Sequence, residues 1–435
     1  MAMEICIIGA GHVGLVTGAC FADLGNRVIC VDHDARKIAS LKKGGVPFYE
    51  PGLQPLVAHN LAQKRLSFTT QIPEGVRHSQ VIFIAVGTPP KDSGEADLTG
   101  VEQVAQAIAR AMSGYRLIVE KSTVPVETGK WIRHTLQVAV RKKIPFDVAS
   151  NPEFLREGSA INDFIHPDRI VIGVESERAR SLLEKLYKPL KSPLVVTDIA
   201  SAELIKHASN AFLAMKVSFI NAISTLCEKV GADVERVAQG VGLDRRIGQA
   251  FLHAGVGYGG FCLPKDIDAF IRIAEKLGVD FQLLKSVRQI NDQQRQKLVE
   301  KVERQLWNLQ KKRIGILGLA FKPDTDDLRF APSLEVIGAL LRAGAQIKVF
   351  DPQAMPSAKA LLNGVTFAKD AYQLAKDCDC MVVMTEWNEF KELDLPRVKS
   401  LMRQPVIVDG RNLYDPDAMK RLGFRYVAIG RGRAA

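Results

Sequence analysis

Cysteine is scarce in this 435-residue sequence, and the cysteines do not have the spacing of a metal site. The seven cysteines are widely spread, and no two of them form a CxxC pair. An odd, dispersed set of cysteines excludes a disulfide framework, and the missing CxxC spacing excludes the common zinc motifs. We therefore expect a protein of a reducing compartment that carries no metal.

Long apolar runs and runs of one charge are also missing. The chain begins "MAMEICIIGAG" with no basic leader, and we expect no apolar stretch near the roughly 18 residues that span a bilayer. The net charge is +11, yet the basic residues are scattered rather than arranged in a stripe. These absences predict a cytoplasmic protein with no membrane and no nucleic-acid partner, and with an anionic small-molecule substrate. A basic RNA-binding protein with a vestigial cofactor site is the alternative from another class.

The hydrophobic pattern divides the chain into three blocks. Short apolar runs such as "EICIIG", "RVICVD" and "VIFIAV" alternate with helical patterns at the start, and "RIGILG", "QIKVFDP" and "CMVVMTE" do so near the end. The middle has helical spacing and no proline from Ala200 to Leu263. The predicted fold is α/β, with two Rossmann-like parallel-sheet domains, 1–199 and 311–435, joined by a central all-helical domain, 200–310. Residues 430–435 are expected to form a loose tail.

A dinucleotide fingerprint follows the first predicted strand. In "IIGAGHVG", Gly9, Gly11 and Gly14 have the G-x-G-x-x-G spacing, and a second strand ends in Asp32 about twenty residues later. The glycines permit a tight turn, close approach of a pyrophosphate and close helix packing, while the acid binds ribose hydroxyls. Because Asp32 would repel a 2′-phosphate, the pattern favours NAD over NADP, although Lys37 is near. The expected cofactor residues here are Gly9, Gly11, His12, Val13, Gly14, Asp32 and Lys37.

Two further loops follow strands of the same predicted sheet. They are "VGTPPK", with Thr88, and "EKSTVP", with Thr123. Ligands of open α/β sheets bind beyond the carboxyl ends of the strands, so both hydroxyls are candidates for the nicotinamide end of the cofactor. Taken alone, each threonine is better explained as an ordinary turn residue, and it is the placement of both after strands of one sheet that brings the cofactor role level with that explanation.

Lys206 and Asn210 are spaced i, i+4 in "ELIKHASNAF" and share one helix face. The surrounding residues are small and apolar, which indicates a packed helix and a partly desolvated lysine suited to catalysis. A solvated polar face is the alternative. His207, on the adjoining face, is expected to be structural.

Cys262 differs from the other cysteines in its surroundings. In "GVGYGGFCLPKD" four glycines precede it, and Lys265 and Asp266 follow at a helix start that Pro264 indicates. A helix amino terminus and nearby cations stabilise a thiolate, so this cysteine is a candidate nucleophile. A thiol beside NAD can carry an aldehyde as a thiohemiacetal and then as a thioester. The cysteines on apolar strands or helices are expected to be buried and inert.

The chain resembles the UDP-glucose/GDP-mannose dehydrogenase family. The motifs that carry the resemblance span nearly the whole chain: "GAGHVG", "PFYEPGL", "VGTPP", "EKSTVPV", "NPEFLREG", "ELIKHASNAF", "GVGYGGFCLPKD", "GLAFKPDTDDLR" and "VIVDGRN". The resemblance implies a four-electron oxidation in which UDP-glucose, two NAD and water give UDP-glucuronate and two NADH.

The resemblance also implies roles for individual residues. Cys262 would be the covalent nucleophile. Lys206, Asn210 and Asp266 would handle the proton and the water and stabilise the oxyanion. Glu153, assisted by Thr123, would act as acid and base in the thioester half, although the sequence leaves open which carboxylate activates water.

The remaining implied residues bind the two ligands. The further cofactor residues are Thr88, Thr123, Glu157, Lys265 and Arg329. The substrate residues are Glu153, Phe154, Leu155, Arg156, Lys206, Asn210, Phe251, Tyr258, Gly259, Lys322 and Arg411, with Arg246 reaching the substrate of a partner subunit in a homodimer.

Two related activities remain open on the sequence. GDP-mannose enzymes have a motif similar to "NPEFLREG" and use the same chemistry. A two-electron β-hydroxyacid dehydrogenase shares the layout and the helix lysine and asparagine, but it needs neither the thiol nor a second nucleotide domain.

Overall fold

The computed structural model describes residues 2–140 and 144–431. It forms two compact units, Met1–Ser209 with Asp268–Gly278, and Asn210–Ile267 with Val279–Ala435. Two of the three boundaries between the units, at 209/210 and 267/268, fall inside helices, and the third, at 278/279, lies between two helices. The sequence placed its domain boundaries near 199 and 310. Of the expected tail, residues 432–435 lie outside the described residues.

The first unit is built on an eight-stranded sheet of order β3-β2-β1-β4-β5-β6-β7-β8. Neighbouring strands are parallel except β6 and β7, which pair antiparallel at Ser150 and Gly173. The strands are β1 Glu4–Ile8, β2 Arg27–Val31, β3 Leu66–Thr69, β4 Val81–Ile84, β5 Arg116–Glu120, β6 Phe146–Ser150, β7 Ile170–Gly173 and β8 Leu194–Thr197.

Both faces of this sheet are covered, as its sequence pattern requires. In β1, Ile5 and Ile7 join one buried apolar cluster, while Cys6 and Ile8 join another. Successive strand residues point to opposite faces, so the two clusters lie on the two sides of the sheet. A parallel sheet buried on both faces reads as a continuous apolar run, which is why "EICIIG" and "VIFIAV" were recognisable.

The second unit contains a six-stranded parallel sheet of order β11-β10-β9-β12-β13-β14. This 3-2-1-4-5-6 arrangement matches the first six strands of the other sheet and is the doubly wound dinucleotide-binding order. The two Rossmann-like sheets predicted from the sequence are confirmed. The strands are β9 Arg313–Leu317, β10 Gln346–Phe350, β11 Val365–Phe367, β12 Cys380–Val383, β13 Val406–Asp409 and β14 Arg425–Ala428.

Helices surround the sheets and occupy the middle of the chain, where the helical region predicted from the sequence is confirmed. They are α1 His12–Asp23, α2 Ala35–Leu41, α3 Leu53–Ala62, α4 Ile72–Arg77, α5 Thr99–Ala111, α6 Thr128–Ala139, α7 Ala160–Ile165, α8 Glu177–Tyr187, α9 Ile199–Val230, α10 Val234–Gly242, α11 Cys262–Lys276, α12 Gln282–Leu306, α13 Pro332–Arg342, α14 Met355–Leu361, α15 Ala371–Ala375, α16 Asn388–Lys391, α17 Leu395–Leu401 and α18 Pro416–Arg421, with a 3₁₀ turn at Lys188–Leu190.

Helix α9 corrects one expectation from the sequence. With 32 residues, it is long and apolar enough to cross a membrane by length and composition, although no such stretch was expected. The long core helix of a soluble protein has the same composition. Helix α9 also buries Glu203, Lys206, His207 and Asn210, which a lipid-facing helix would not tolerate without partners.

Candidate active site

The loop between β1 and α1 has the geometry that the glycine fingerprint predicts. Gly9 has a φ of +106°, and a Cβ there would lie 2.3 Å from the Ala85 carbonyl oxygen. A Cβ on Gly14 would lie 1.8 Å from the Gly9 oxygen, so only glycine lets α1 pack this closely. A Cβ on Gly11 would meet nothing within 4 Å. The open space lies at the start of α1, where backbone N–H groups and the helix dipole favour a phosphate.

Asp32, just beyond β2, is buried and held by three donors. Its carboxylate accepts hydrogen bonds from Ala10 N at 2.9 Å and Asp34 N at 3.0 Å, and Lys37 Nζ lies 2.9 Å away. Burial raises the pKa of Asp32, but these donors outweigh burial and the net pKa is lowered. An ionised carboxylate beside the fingerprint fits an unphosphorylated ribose and disfavours a 2′-phosphate. The residues present therefore fit NAD.

The two threonine loops meet beyond the sheet. Thr88 follows β4 and is buried, and its hydroxyl donates to the Thr123 carbonyl oxygen at 2.8 Å. Because β4 and β5 are neighbours in the sheet, their carboxyl ends bring the loops side by side. Thr88 thereby fixes the loop that carries Thr123.

A lysine that sequence reasoning missed lies between these loops and "NPEFLREG". Lys121 is buried, and its Nζ donates to Asn151 Oδ1 at 3.0 Å. Burial lowers the pKa of Lys121 to about 8, although Glu153 and Glu120 act to raise it. Asn151 also accepts from the Tyr187 hydroxyl and donates to the Val171 carbonyl at 2.8 Å. Lys121 thus anchors the start of the loop that carries Glu153.

Glu153 and Lys206 form a buried ion pair. Glu153 Oε1 lies 2.9 Å from Lys206 Nζ, and both side chains are about 5% exposed. The other oxygen, Oε2, accepts from Leu155 N at 2.7 Å. A carboxylate and an ammonium held together out of water can exchange a proton with little rearrangement. The structure therefore brings together two of the residues singled out in the sequence.

The rest of "NPEFLREG" is fixed by charges around it. The Phe154 ring lies 3.6 Å from the Arg169 guanidinium and 5.5 Å from Lys206 Nζ. Arg156, expected to bind substrate, is exposed and forms a two-pronged pair with Asp163 at 2.6 Å. Glu157 is partly buried in the same loop.

Glu50 gives the "PFYEPGL" motif a positioning role. The buried Glu50 carboxylate accepts from Gly158 N at 2.6 Å and Ala160 N at 2.9 Å. Glu50 therefore holds the backbone that joins the end of "NPEFLREG" to the start of α7. Phe48 of the same motif stacks on His12 with ring centroids 3.7 Å apart. The sequence showed this motif only through the family resemblance.

In the second unit, Cys262 is the exposed first residue of α11. The other six cysteines are buried, and burial raises the pKa of each, for example to about 11 for Cys378. A helix amino terminus stabilises thiolate, whereas burial in apolar surroundings disfavours it. The distinction between Cys262 and the other cysteines matches the one expected from sequence.

Asp266 lies one turn further along α11 and is held on both oxygens. Asn210 Nδ2 donates to its Oδ2 at 2.6 Å, and Lys265 Nζ lies 2.9 Å from its Oδ1. All three side chains are buried. Lys265, expected at the cofactor, is here paired with Asp266 and lies 5.5 Å from the Phe261 ring centre.

The glycine stretch before Cys262 packs against protein. A Cβ on Gly255 would lie 2.6 Å from the Gly410 oxygen, and one on Gly259 would lie 2.4 Å from the Phe330 oxygen. A Cβ on Gly257 would meet Asn291, and one on Gly260 would meet the Phe321 ring. The absence of a side chain at these glycines therefore lets neighbouring loops of the same unit pack closely against this stretch.

Arg411 ties this stretch to the second sheet. Its guanidinium donates to the carbonyls of Met384 at 2.9 Å, Phe321 at 2.9 Å and Gly257 at 3.3 Å. Tyr258, buried beside it, exchanges backbone hydrogen bonds with the Asn291 side chain at 2.8 and 3.2 Å. Arg411 thus has a structural task in addition to any contact with substrate.

The second sheet lacks the phosphate cradle of the first. Asp351, the counterpart of Asp32, accepts from Leu319 N at 2.7 Å and from the Trp387 indole at 3.2 Å. The chain runs on as a loop from Gly318 to α13 at Pro332, so no helix begins at the turn. Lys322 and Arg329 lie on this loop, and Arg329 forms a pair with Asp327 at 2.7 Å.

Two predicted substrate residues lie on the segment that follows α10. Arg246 is exposed and paired with Asp244 at 2.6 Å, while Phe251 is partly buried with a φ of +65°. The Arg246 guanidinium donates to both carboxylate oxygens of Asp244, at 2.6 to 3.2 Å.

Comparison with known protein families matches each of the three blocks of the chain to a domain of one family. Residues 3–191 match the NAD binding domain of the UDP-glucose/GDP-mannose dehydrogenase family, 200–293 its central domain and 315–416 its UDP binding domain.

Full-length relatives agree. The chain is 49% identical to UDP-glucose 6-dehydrogenase TuaD of Bacillus subtilis, covering 98% of this chain and 93% of that one. It is 48% identical to UDP-glucose 6-dehydrogenase of Rhizobium meliloti, covering 99% and 100%. A solved UDP-glucose dehydrogenase from Pyrobaculum islandicum superposes with a TM-score of 0.93 at 40% identity, covering 99% and 98%.

The chain has a glycine-rich phosphate loop between β1 and α1, and its second sheet has the same strand order as the first six strands of the first sheet. These features, with the matched NAD binding domain, define an NAD-dependent dehydrogenase with two dinucleotide-type sheets. Matches to all three domain models and to relatives over nearly their whole length make the assignment specific. The chain belongs to the UDP-glucose/GDP-mannose dehydrogenase family.

Proposed function

We propose that the protein oxidises UDP-glucose to UDP-glucuronate and reduces two NAD for each sugar. The relatives named above support the substrate. The observation that carries the proposal is Cys262, an exposed thiol at the amino terminus of α11 in an NAD-dependent dehydrogenase. A four-electron oxidation needs a carrier for the half-oxidised carbon, and a two-electron oxidation does not.

The chemistry proceeds through the Cys262 sulfur. The first oxidation converts the primary alcohol of the sugar to an aldehyde. The Cys262 thiolate adds to the aldehyde carbon and forms a C–S bond, giving a thiohemiacetal. Loss of a hydride from that carbon leaves a thioester, and water then displaces the thiol and releases the carboxylate. NAD, when bound, supplies the hydride acceptor for each oxidation.

Lys206 and Glu153 are assigned to proton transfer. Their 2.9 Å ion pair supports a role in which Lys206 stabilises developing negative charge on oxygen and Glu153 acts as acid and base, with Thr123 assisting. Asn210 and Asp266 are assigned to the water and the oxyanion. Both oxygens of Glu153 and both oxygens of Asp266 are engaged in the structure, so either carboxylate is a candidate to activate water.

The binding residues follow the division of domains. We assign NAD to the fingerprint residues, with Thr88, Glu157, Lys265 and Arg329 completing the site. For the nucleotide sugar we assign Phe154, Leu155, Arg156, Phe251, Tyr258, Gly259, Lys322 and Arg411. The proposed division is 1–199 for NAD, 200–310 for dimerisation and 311–435 for the UDP-sugar.

A homodimer is proposed from an apolar stripe on α9. Phe212, Phe219 and Leu226 are 58%, 51% and 58% exposed and recur every seven residues, so they share one face of the helix. Exposed aromatic side chains in such a row favour a second copy of the same helix as the partner. In this dimer Arg246 would reach the substrate of the partner subunit. We place the enzyme in the cytoplasm, because its thiol chemistry requires a reducing compartment.

A panel of nucleotide sugars tests the proposal. The protein is incubated with NAD and either UDP-glucose or GDP-mannose, and NADH and sugar acid are both counted. We expect turnover with UDP-glucose and two NADH per UDP-glucuronate. One NADH per sugar would contradict the four-electron reaction, and preferential turnover of GDP-mannose would contradict the substrate.

A further inference from the structure

The second unit contains a large basic cavity away from the residues assigned above. It has a volume of about 1450 Å³ and is lined by α9, α12 and the edge strand β14. It includes residues 404–406, at the amino end of β13. Ligands of doubly wound sheets bind at the carboxyl ends, so this cavity is distinct from the nucleotide-sugar site expected there.

The charge of the cavity favours an anion. Eight Lys or Arg residues line it, against three Asp or Glu residues. Four of the cations, Lys229, Lys297, Lys420 and Arg425, have no carboxylate within 4.0 Å in the described chain. Lys297 is partly buried and donates to Thr225 Oγ1 at 2.8 Å. Burial lowers the pKa of Lys297, a cost that a bound anion would offset.

A buried amide gives an independent sign of a ligand. Gln294 lines the cavity, is 0% exposed, and neither its Nε2 nor its Oε1 has a hydrogen-bond partner among the described residues. Buried amides are nearly always hydrogen-bonded, and an unmade bond is costly. Gln294 lies one turn of α12 before Lys297, so the amide and the cation are next to each other on the helix. Together they offer a donor, an acceptor and a positive charge.

We propose that this cavity binds a polyphosphate anion of nucleotide size. The volume exceeds the roughly 300–1,000 Å³ of common ligand pockets, which leaves room for a base and sugar as well as phosphates. Lys297, Lys420 and Arg425 hold the phosphates, since charge-assisted hydrogen bonds to phosphate are the strong ones. Gln294 pairs with polar groups of the sugar or base.

ATP binding to the full-length protein tests the proposal. Calorimetry is done with UDP and NADH at saturation, so that the dehydrogenase sites are filled and no turnover occurs. We expect one ATP per chain, with affinity falling as salt rises. Pyrophosphate and inorganic phosphate are titrated in parallel. ATP should bind most tightly, pyrophosphate less tightly and inorganic phosphate least tightly. No ATP binding under these conditions would overturn the proposal, and so would inorganic phosphate binding as tightly as ATP.

Three variants locate the site. Lys297→Ser should weaken ATP binding about tenfold or more, because a desolvated cation is lost. Gln294→Leu should also weaken ATP binding, without lowering the melting temperature, because the amide makes no bond in the fold. The matched control is Lys359→Ser, which removes an exposed lysine of α14 outside the cavity. Equal weakening by the control, or unchanged affinity in both cavity variants, would overturn the assignment.

Discussion

Lys121 is a buried side chain that positions other residues of the site through its contact with Asn151. Its ammonium bonds to Asn151, and Asn151 opens the loop in which Glu153 pairs with Lys206. The pKa of Lys121 is lowered to about 8, chiefly by burial, so the charge at this point depends on pH near neutrality. Lys121 is therefore a positioning residue for the Glu153 and Lys206 pair.

Replacing Lys121 should slow turnover without much effect on substrate affinity. Lys121→Met removes the bond to Asn151, and displacement of Glu153 should lower kcat about tenfold to a hundredfold while KM changes little. Lys121→Gln keeps a donor and should recover part of the rate. Steady-state kinetics between pH 6 and 9 make the comparison.

The control for this residue is Lys130→Met, which removes an exposed lysine paired with Glu127. It should leave kcat unchanged. Wild-type kcat in Lys121→Met across that pH range would refute the positioning role.

Single residues were predictable from sequence where the signal is local. Gly9, Gly11 and Gly14 act within one turn, so their spacing sufficed. Lys121, Asn151 and Tyr187 were missed because the sheet brings together residues 30 and 36 positions apart. The glycines before Cys262 were recognised, but their neighbours, such as Phe330 and Gly410, are far away in sequence.

At the scale of elements, α6 begins against a carboxylate from α9. Glu203 is buried and accepts from Glu127 N and Gly129 N, both at 2.7 Å. Burial raises the pKa of Glu203 from 4.5 to about 7, although these two bonds act to lower it. Below pH 4.5 the carboxyl is protonated in both the folded and the unfolded state. Between the two values the folded state holds the proton, so the stability contribution of Glu203 is lost as pH rises.

This linkage predicts a pH-dependent difference between wild type and Glu203→Gln. The free energy of unfolding of the wild type, minus that of the variant, should fall by on the order of 2–3 kcal/mol between pH 4.5 and 8. Urea unfolding at several pH values measures it. Glu303→Gln, at an exposed position of α12, should show no such trend. A difference that stays constant or rises with pH would contradict the account.

The glycine stretch before α11 predicts an opposite pair of alanine variants. Gly259→Ala places a Cβ 2.4 Å from the Phe330 oxygen and 2.7 Å from Pro332 Cδ, so it should cost about 1–3 kcal/mol of stability. Gly240→Ala, in α10, meets nothing within 4 Å and should stabilise by up to about 1 kcal/mol. Thermal unfolding measures both. Equal stability of the two variants would show that the packing argument is wrong.

Elements were predictable where they are long or fully buried. The apolar strands β1, β2 and β4 were each recognised from their sequence. The short strands β3, β8, β11 and β14 were not identified, and all four lie at the edges of their sheets. Edge strands bury less surface, as the partly exposed residues of β8 show, so their hydrophobic pattern is weak.

At the scale of the whole molecule, the apolar stripe on α9 and the assignment of Arg246 make a joint prediction. Cys262→Ala and Arg246→Ala subunits should each be inactive or nearly so as homodimers. Refolded together, they should form hybrids that regain up to about half of the activity per dimer, because one site then has both residues. If Arg246 served its own subunit, no hybrid would regain activity. Addition of Phe219→Asp to both subunits should abolish the recovery by separating the subunits, as ultracentrifugation would show.

The protein as a whole is explained as a dehydrogenase that oxidises one carbon twice while Cys262 holds it. The most direct measurement is the UDP-glucuronate formed from UDP-glucose and NAD by Cys262→Ala, beside Cys20→Ala as a buried-cysteine control. The account predicts no detectable UDP-glucuronate from Cys262→Ala and a near-normal yield from Cys20→Ala. UDP-glucuronate formed by Cys262→Ala at the wild-type rate, with two NADH per sugar, would contradict it.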